Sequence, residues 1–262
     1  MSFYPVLKAP GCIGQTTLCN FPPNNWENKS TKPRLVNLTW AHEGLWHTLT
    51  LGELAFGAMQ TYTLSHFSSF IPEDVLPLLS LTSSPLPTCN PCLPCAKTGT
   101  HYPNWRATLA LTSAHGSTSY QGELDPLPAQ GSFLSFAPFL QFGNGIENFM
   151  LFLNLENNPQ PRSSVLEIYN SRTLGRCLGS FEVLNNALSI ISLDKSDLGP
   201  EDLPVIISRG MSGIPLYFSK TTDGRHLSLE HTHPPASYVI HGRRNEAQRI
   251  LKSSWFAQLG SV

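Results

Sequence analysis

Residues 70–80 read Phe70-Ile71-Pro72-Glu73-Asp74-Val75-Leu76-Pro77-Leu78-Leu79-Ser80, and residues 198–208 read Leu198-Gly199-Pro200-Glu201-Asp202-Leu203-Pro204-Val205-Ile206-Ile207-Ser208. Both stretches place Pro-Glu-Asp ahead of a run of large apolar residues. The likeness continues in the same order on both sides, since residues 34–38 resemble 151–155 and residues 122–129 resemble 229–236. A match spread over so much of the chain exceeds a solenoid repeat of roughly 20–50 residues. It therefore predicts the internal duplication of a whole domain.

Alternating side chains predict strands in both copies. Residues 47–51 and 60–64 alternate polar with apolar or β-branched residues, which is the period of a half-buried strand. Asp223-Gly224 joins two such runs as a two-residue hairpin turn. Short strands without intervening helices predict an all-β fold of two tandem β-sandwich, jelly-roll-like domains. A single closed barrel formed from both halves is the alternative.

The composition shifts along the chain suggest four segments. Residues 1–33, rich in Pro, Asn and Gly, are expected to form an extended N-terminal arm. The first β-sandwich repeat is predicted over 34–142, with an inserted Cys-rich loop at 83–104, and the second repeat over 146–242. Residues 243–262 form the last segment.

The last segment has the spacing of an amphipathic helix, because apolar residues recur every three or four positions with Arg and Lys between them. We expect this helix to pack on the second sandwich, and docking to a partner is the alternative. The residues expected to be buried are Ala247, Ile250, Leu251, Trp255, Phe256 and Leu259.

Composition excludes several functional classes. Only 13% of the 262 residues are charged and the net charge is −1, so the clustered Lys and Arg that bind nucleic acid are missing before the C-terminal helix. The N-terminus lacks the basic start and apolar run of a signal peptide, and no apolar stretch reaches the ~20 residues of a membrane span. We therefore expect a cytoplasmic protein whose six cysteines are thiols or metal ligands rather than disulfides.

The Cys-rich loop is the first candidate site. Cys89, Cys92 and Cys95 have the two-residue spacing that lets neighbouring thiolates face one ion. A structural zinc site needs a fourth ligand, for which His101 is the candidate, with Cys12 and Cys19 as alternatives. Unligated thiols on an inserted loop, or redox chemistry, would produce the same pattern.

A histidine cluster is the second candidate. His231 and His233 stand two residues apart, so both would lie on one face of a strand, and His241 follows downstream. These histidines are candidate metal ligands, and a strand end entering a Pro-Pro turn is the other interpretation.

Two further features have structural explanations. The acids of the Pro-Glu-Asp turns suit the first turn of a helix, where they complement exposed N–H groups. Trp26, Trp40, Trp46 and Trp105 would suit a sugar-stacking platform, but tryptophan also fills sandwich cores.

The shortage of catalytic patterns favours a non-enzymatic binding or accessory protein. Such a protein would present a β-sandwich surface to a partner protein or a glycan. The alternative is a metal-dependent enzyme centred on the His-x-His pair in the second domain. The sequence leaves the oligomeric state open.

Overall fold

A computed structural model describes residues 2–21, 32–72, 75–94, 107–129, 131–137, 140, 142–231 and 244–259. The protein is an all-β, sandwich-like structure of four antiparallel sheets with one C-terminal helix. The predicted fold class is confirmed. The single closed barrel is not what forms, because the strands separate into four sheets.

The described residues of the first half form nine strands and one short 3₁₀ turn at Leu64–His66. The strands are β1 Tyr4–Pro5, β2 Ile13–Cys19, β3 Arg34–His42, β4 Leu45–Leu54, β5 Met59–Thr63, β6 Leu78–Thr82, β7 Cys89–Asn90, β8 Ala107–Thr112 and β9 Ser117–Gln121.

The second half provides eight strands, a short 3₁₀ turn at Leu193–Lys195 and the helix α1 at Arg244–Gln258. The strands are β10 Phe133–Phe136, β11 Ile146–Leu153, β12 Ser163–Asn170, β13 Thr173–Leu184, β14 Leu188–Ser192, β15 Pro204–Ser208, β16 Ile214–Thr221 and β17 Leu227–His231.

The two halves have the same strand order. Sheet 1 runs β1-β6-β3-β4-β7 and sheet 2 runs β5-β2-β8-β9, while sheet 3 runs β10-β15-β12-β13 and sheet 4 runs β14-β11-β16-β17. Every strand of the second half has a counterpart in the first. Strand β7 is the extra strand, and it lies in the predicted Cys-rich insertion. This order is what a duplication would produce, and the duplication itself remains a prediction.

The topology aligns the halves differently from the sequence match in two places. Residues 122–129 follow β9, whereas the matched residues 229–236 begin within its counterpart β17. Residues 34–38 lie in β3, whose counterpart by strand order is β12, whereas the matched residues 151–155 begin in β11. The two Pro-Glu-Asp stretches precede the equivalent strands β6 and β15. The Pro-Glu-Asp pattern is therefore the better guide to equivalence.

The N-terminal segment differs from the predicted extended arm. Strand β2 pairs with β5 on one side and with β8 on the other, so it is a central strand of sheet 2. The preceding chain packs closely on it, because a Cβ atom at Gly14 would lie 1.6 Å from the Leu7 carbonyl oxygen. The composition of residues 1–33 led to the wrong prediction of an extended arm. The Thr residues of β2 favour strands, and they pair with residues of the neighbouring strands.

Alternation decides which face of sheet 2 is buried. In β8, Ala107, Leu109 and Leu111 are buried while the intervening residues are half-buried. The period of two places these three side chains on one face, towards the core. The remaining face of the sheet carries polar side chains, including the Thr17–Thr61 hydroxyl pair.

Sheet 4 is buried on both faces. Its inner strands direct Phe149, Leu151, Leu216 and Phe218 into a hydrophobic core shared with the first half of the chain. The alternate residues, Met150, Phe152 and Tyr217 among them, enter a second core with sheet 3. The two halves are therefore joined through continuous apolar packing.

Backbone hydrogen bonds reinforce this junction. The Asn157 carbonyl accepts the Trp46 indole N–H and the Leu93 backbone N–H, each at 2.9 Å. At the hairpin tips, the Ser113 hydroxyl donates to the Gly224 carbonyl at 2.7 Å. The predicted hairpin around Asp223-Gly224 forms, and Gly224 has the positive φ of 68° that favours glycine. Its loop is longer than the predicted two-residue turn, because Thr221 donates its N–H to the His226 carbonyl and residues 222–225 lie between them.

The C-terminal helix packs on the outer face of sheet 3, within the second half. Leu259 is 1% exposed and lies in a cluster with Tyr169, Val205 and Ile207. Trp255 packs edge-on against Phe136 at 5.2 Å between ring centroids. The predicted helix and its packing on the second half are confirmed, but Ile250 is 61% exposed rather than buried. The side chains of Ala247 and Leu251 lie outside the described residues.

Within the described ranges, no helix is long and apolar enough to cross a membrane.

We predict that Leu259→Ala will lower the free energy of unfolding by about 2–3 kcal/mol, because it removes a fully buried side chain between helix and sheet. Urea denaturation followed by circular dichroism measures this change. Ile250→Ala on the same helix is the control and should change stability by less than about 0.5 kcal/mol, since Ile250 is exposed. Equal effects of the two substitutions would show that the helix does not dock through Leu259.

Candidate functional site

The Cys-rich segment is held against sheet 1 through β7. Cys89 is the cross-strand partner of His47 in β4, and the neighbouring Asn90 pairs with Trp46. The Cys89 Sγ lies 3.6 Å from His47 Nδ1. Cys89 and Cys92 are both exposed, free thiols. The structure therefore brings Cys89 together with a histidine that the sequence analysis did not consider.

The His47 ring is fixed in orientation by two contacts. Its Nε2 lies 3.3 Å from the His42 carbonyl oxygen. Since a carbonyl oxygen only accepts, this contact is a hydrogen bond in the forms of the ring that carry a proton on Nε2. The Trp40 ring stacks on the imidazole at 5.5 Å between centroids. The period-two face of β4 was the only sequence pattern that could have indicated His47.

Two of the other predicted ligands of the Cys-rich site, Cys95 and His101, lie outside the described residues. Cys12 and Cys19 flank and end β2 in sheet 2, whereas Cys89 lies in sheet 1. Burial raises the pKa of both the Cys12 and the Cys19 thiols.

The predicted histidine site lies almost entirely outside the described residues. His231 ends β17, opposite Leu216 in β16, but its side chain is not described. His233 and His241 also fall outside. No group of three His, Cys, Asp or Glu side chains is arranged around a common point in the described part of the chain. The His-x-His metal site and the enzyme built on it remain predictions.

The acids of the second Pro-Glu-Asp turn have a structural role. The Asp202 carboxylate accepts the Gly199 backbone N–H at 2.7 Å and the Asn170 side-chain amide. It therefore closes the turn that leads into β15. The corresponding acids Glu73 and Asp74 lie outside the described residues.

The tryptophans do not assemble into a sugar platform among the described residues. Trp46 is fully buried, and Trp40 is half-buried against His47. Trp26 and Trp105 lie outside the described ranges.

A cleft of about 550 Å³ opens where the two halves meet. Its walls come from the segment after β1, from the chain between β5 and β6, and from β14 of the second half. The lining is Val6, Lys8, Leu64, Ser65, Ser68, Ile71, Pro72, Val75, Leu76, Pro77, Leu188 and Ile190. The volume is in the range of roughly 300–1,000 Å³ that is typical of ligand pockets.

The cleft combines an apolar floor with a few polar groups. Ile190 is 37% exposed, which leaves an aliphatic surface available to a ligand. Lys8 is an exposed cation, and Ser65 and Ser68 add hydroxyl groups. No local sequence pattern indicates the cleft, because its walls are separated by more than a hundred residues along the chain.

A buried polar network lies beside the junction of the halves. The Glu156 side chain is 2% exposed and pairs with Arg162, which is 34% exposed. The Glu156 backbone N–H donates to the Asn186 side chain at 2.7 Å, and the Asn186 backbone N–H donates to the Asn154 side chain at 3.0 Å. Asn186 adopts a positive φ of 52° to close this arrangement. Because the Glu156 carboxylate is paired with Arg162, the network holds the loop after β11 rather than presenting a free acid.

The chain matches no family model, no curated protein and no solved structure.

We predict that Glu156→Ala will lower the free energy of unfolding by about 2–4 kcal/mol, because it leaves Arg162 partly buried without its carboxylate. Chemical denaturation measures the loss. Glu167→Ala is the matched control, since Glu167 pairs with Arg209 at the surface. The control substitution should lower the free energy of unfolding by less than about 1 kcal/mol. A loss at Glu156 no larger than at Glu167 would contradict the structural role of the network.

Proposed function

We propose that the protein is a non-enzymatic binding protein that holds an apolar segment of a partner protein in the cleft between its two halves. The observation that carries this proposal is the cleft, with walls supplied by both halves of the chain. A concave, mostly apolar site with a few polar groups is the usual form of a binding pocket.

The chemistry of the lining supports a protein segment rather than a glycan. The lining residues named above include no aromatic ring. Aromatic faces carry partial negative charge, which attracts the polarised C–H groups of a sugar ring. Aliphatic walls lack this attraction and instead suit Leu, Ile, Val or Met side chains.

The energetics suggest a transient complex. Each aliphatic side chain that is fully buried in the cleft contributes about 1.5–3 kcal/mol. A cleft of this volume accommodates only a few such side chains. After the cost of ordering the bound segment, the affinity falls in the micromolar range or weaker.

Lys8 adds a preference for acidic segments. Lys8 is exposed and lines the cleft, whose other polar side chains are those of Ser65 and Ser68. An acidic side chain placed there contributes at most about 1 kcal/mol, but it steers and orients the partner. We therefore expect ligands that combine apolar anchors with one Asp or Glu.

Selection from a displayed random-peptide library tests the proposal. Peptides enriched on the wild-type protein should share apolar anchors, and Ile190→Asp should weaken their binding at least about tenfold, because it places a charge in the apolar wall. Val165→Asp is the matched control: Val165 is 47% exposed on β12, in sheet 3, and does not line the cleft. Peptides that bind both variants equally well would place binding elsewhere, and a glycan-array hit without peptide enrichment would favour the glycan alternative.

A second variant isolates the charge. Lys8→Glu should weaken the binding of acidic peptides by about two- to fivefold at low salt, as expected for the loss of one exposed ion pair. The difference from wild type should shrink as ionic strength rises, because salt screens surface charges. Isothermal titration at two salt concentrations measures this. An unchanged affinity at low salt would show that Lys8 does not contribute to peptide binding.

A further inference from the structure

We propose that the partner segment enters the cleft in an extended conformation and adds to sheet 4 as a strand beside β14. This inference rests on the proposed binding function and specifies the conformation of its ligand. Of the strands that the structure describes, only β11 pairs with β14, so β14 is an edge strand of the sheet. An edge strand presents backbone N–H and C=O groups to which a further strand can bind.

The register of β14 shows which of its backbone groups face outwards. The Asn154 N–H donates to the Ala187 carbonyl oxygen at 3.2 Å. This pair stands one step beyond the cross-strand pair of Leu153 with Leu188. Along an antiparallel ladder, hydrogen-bonded pairs alternate with pairs that are not hydrogen-bonded. The N–H and C=O groups of Leu188 therefore point away from β11, and so do those of Ile190.

The hydrogen bonds on the other side of β11 agree with this assignment. The Thr222 N–H donates to the Gly145 carbonyl oxygen at 2.8 Å, in continuation of the β11–β16 register. By the same alternation, the odd-numbered residues of β11 bond to β16 and the even-numbered residues bond to β14. The partners of the even-numbered residues within β14 are Ser189 and Ile191. These two residues hold β14 in the sheet, which leaves the backbone groups of Ile190 for an incoming strand.

The outward-facing groups lie beside the cleft. The side chains of Leu188 and Ile190 line it, and Ile190 is 37% exposed. The described residues outside β11 offer no backbone hydrogen bond to either of them. Residues opposite each other in adjacent strands direct their side chains to the same face. A segment bonded to β14 therefore places every second side chain over the apolar walls.

Strand β14 lacks the features that commonly protect an edge. Natural edge strands are blocked by charged side chains, proline or bulges. The five residues of β14 include no charge and no proline, and their register with β11 is uninterrupted. The edge strand β13 differs, because it carries the exposed charges of Arg176 and Glu182 and its ladder with β12 has register shifts. Addition of a strand is therefore favoured at β14 over β13.

Charge complementarity restricts the partner further. Lys8 is the charged residue of the lining, and the apolar residues around it favour uncharged side chains. The expected partner segment therefore has apolar residues at alternate positions and one Asp or Glu on the same face.

N-methylation of a bound peptide tests the strand. The probe is a peptide enriched on the wild-type protein by the library selection, synthesised with one N-methyl group at each position in turn. Methylation at alternate positions should weaken binding at least about tenfold, because it removes a hydrogen bond and leaves a β14 carbonyl unpaired. Methylation at the intervening positions, whose N–H groups point away from β14, should change the affinity less than about twofold. Isothermal titration measures both sets.

Proline at position 190 tests the same hydrogen bond from the protein side. Ile190→Pro removes an outward-facing N–H without removing a bond to β11, and edge strands tolerate proline at such positions. Ile190→Ala is the matched control, since it also shortens the side chain but keeps the N–H. The proline variant should bind the peptide at least about fivefold more weakly than the alanine variant.

The outcomes separate the strand from the cleft. N-methyl effects without a two-residue period, or equal affinities of Ile190→Pro and Ile190→Ala, would overturn the strand. The cleft proposal would then still stand if Ile190→Asp weakens binding. Failure of the selection to yield any peptide would reject the cleft and the strand together. If Ile190→Pro does not fold, the N-methyl series decides alone, because it leaves the protein unchanged.

Discussion

The rest of the structure depends on the burial of both faces of sheet 4. Its central strands β11 and β16 supply apolar side chains to two cores at once. Water is excluded from one face only if sheet 3 covers it, and from the other only if the first half does. The cleft, the Asn157 hydrogen bonds and the position of β14 all follow from that contact. The site chemistry is thus a consequence of how the halves are packed.

Local patterns were sufficient to predict several of the strands. The alternation over residues 47–51 lies in β4, and the alternation over residues 60–64 coincides with β5 except for its last residue. The spacing of apolar residues over 243–259 was sufficient to predict the helix. Each of these patterns is set by neighbours within a few residues, where backbone geometry fixes which side chains share a face.

The candidate sites depend on contacts that no local pattern contains. His47 meets Cys89 only because β7 pairs with β4, and Ile190 reaches the cleft only because β14 lies beside the first half. The exposure of Ile250 likewise reflects how far sheet 3 extends beneath the helix, which spacing alone does not determine. Strand β2 was not predicted because the polar composition of this segment was taken to indicate a loop. The Thr residues in it nevertheless favour the strand conformation.

The doubly buried sheet also restricts how the gene can change. A polypeptide ending after the first half would expose the apolar surface that now meets Leu151 and Phe218, and one containing only the second half would expose these residues themselves. Either product would be prone to aggregate, because large apolar patches associate in water. We therefore expect that the halves cannot be separated and exchanged as independent modules, and that sequence changes disturb this packing least in exposed surface loops.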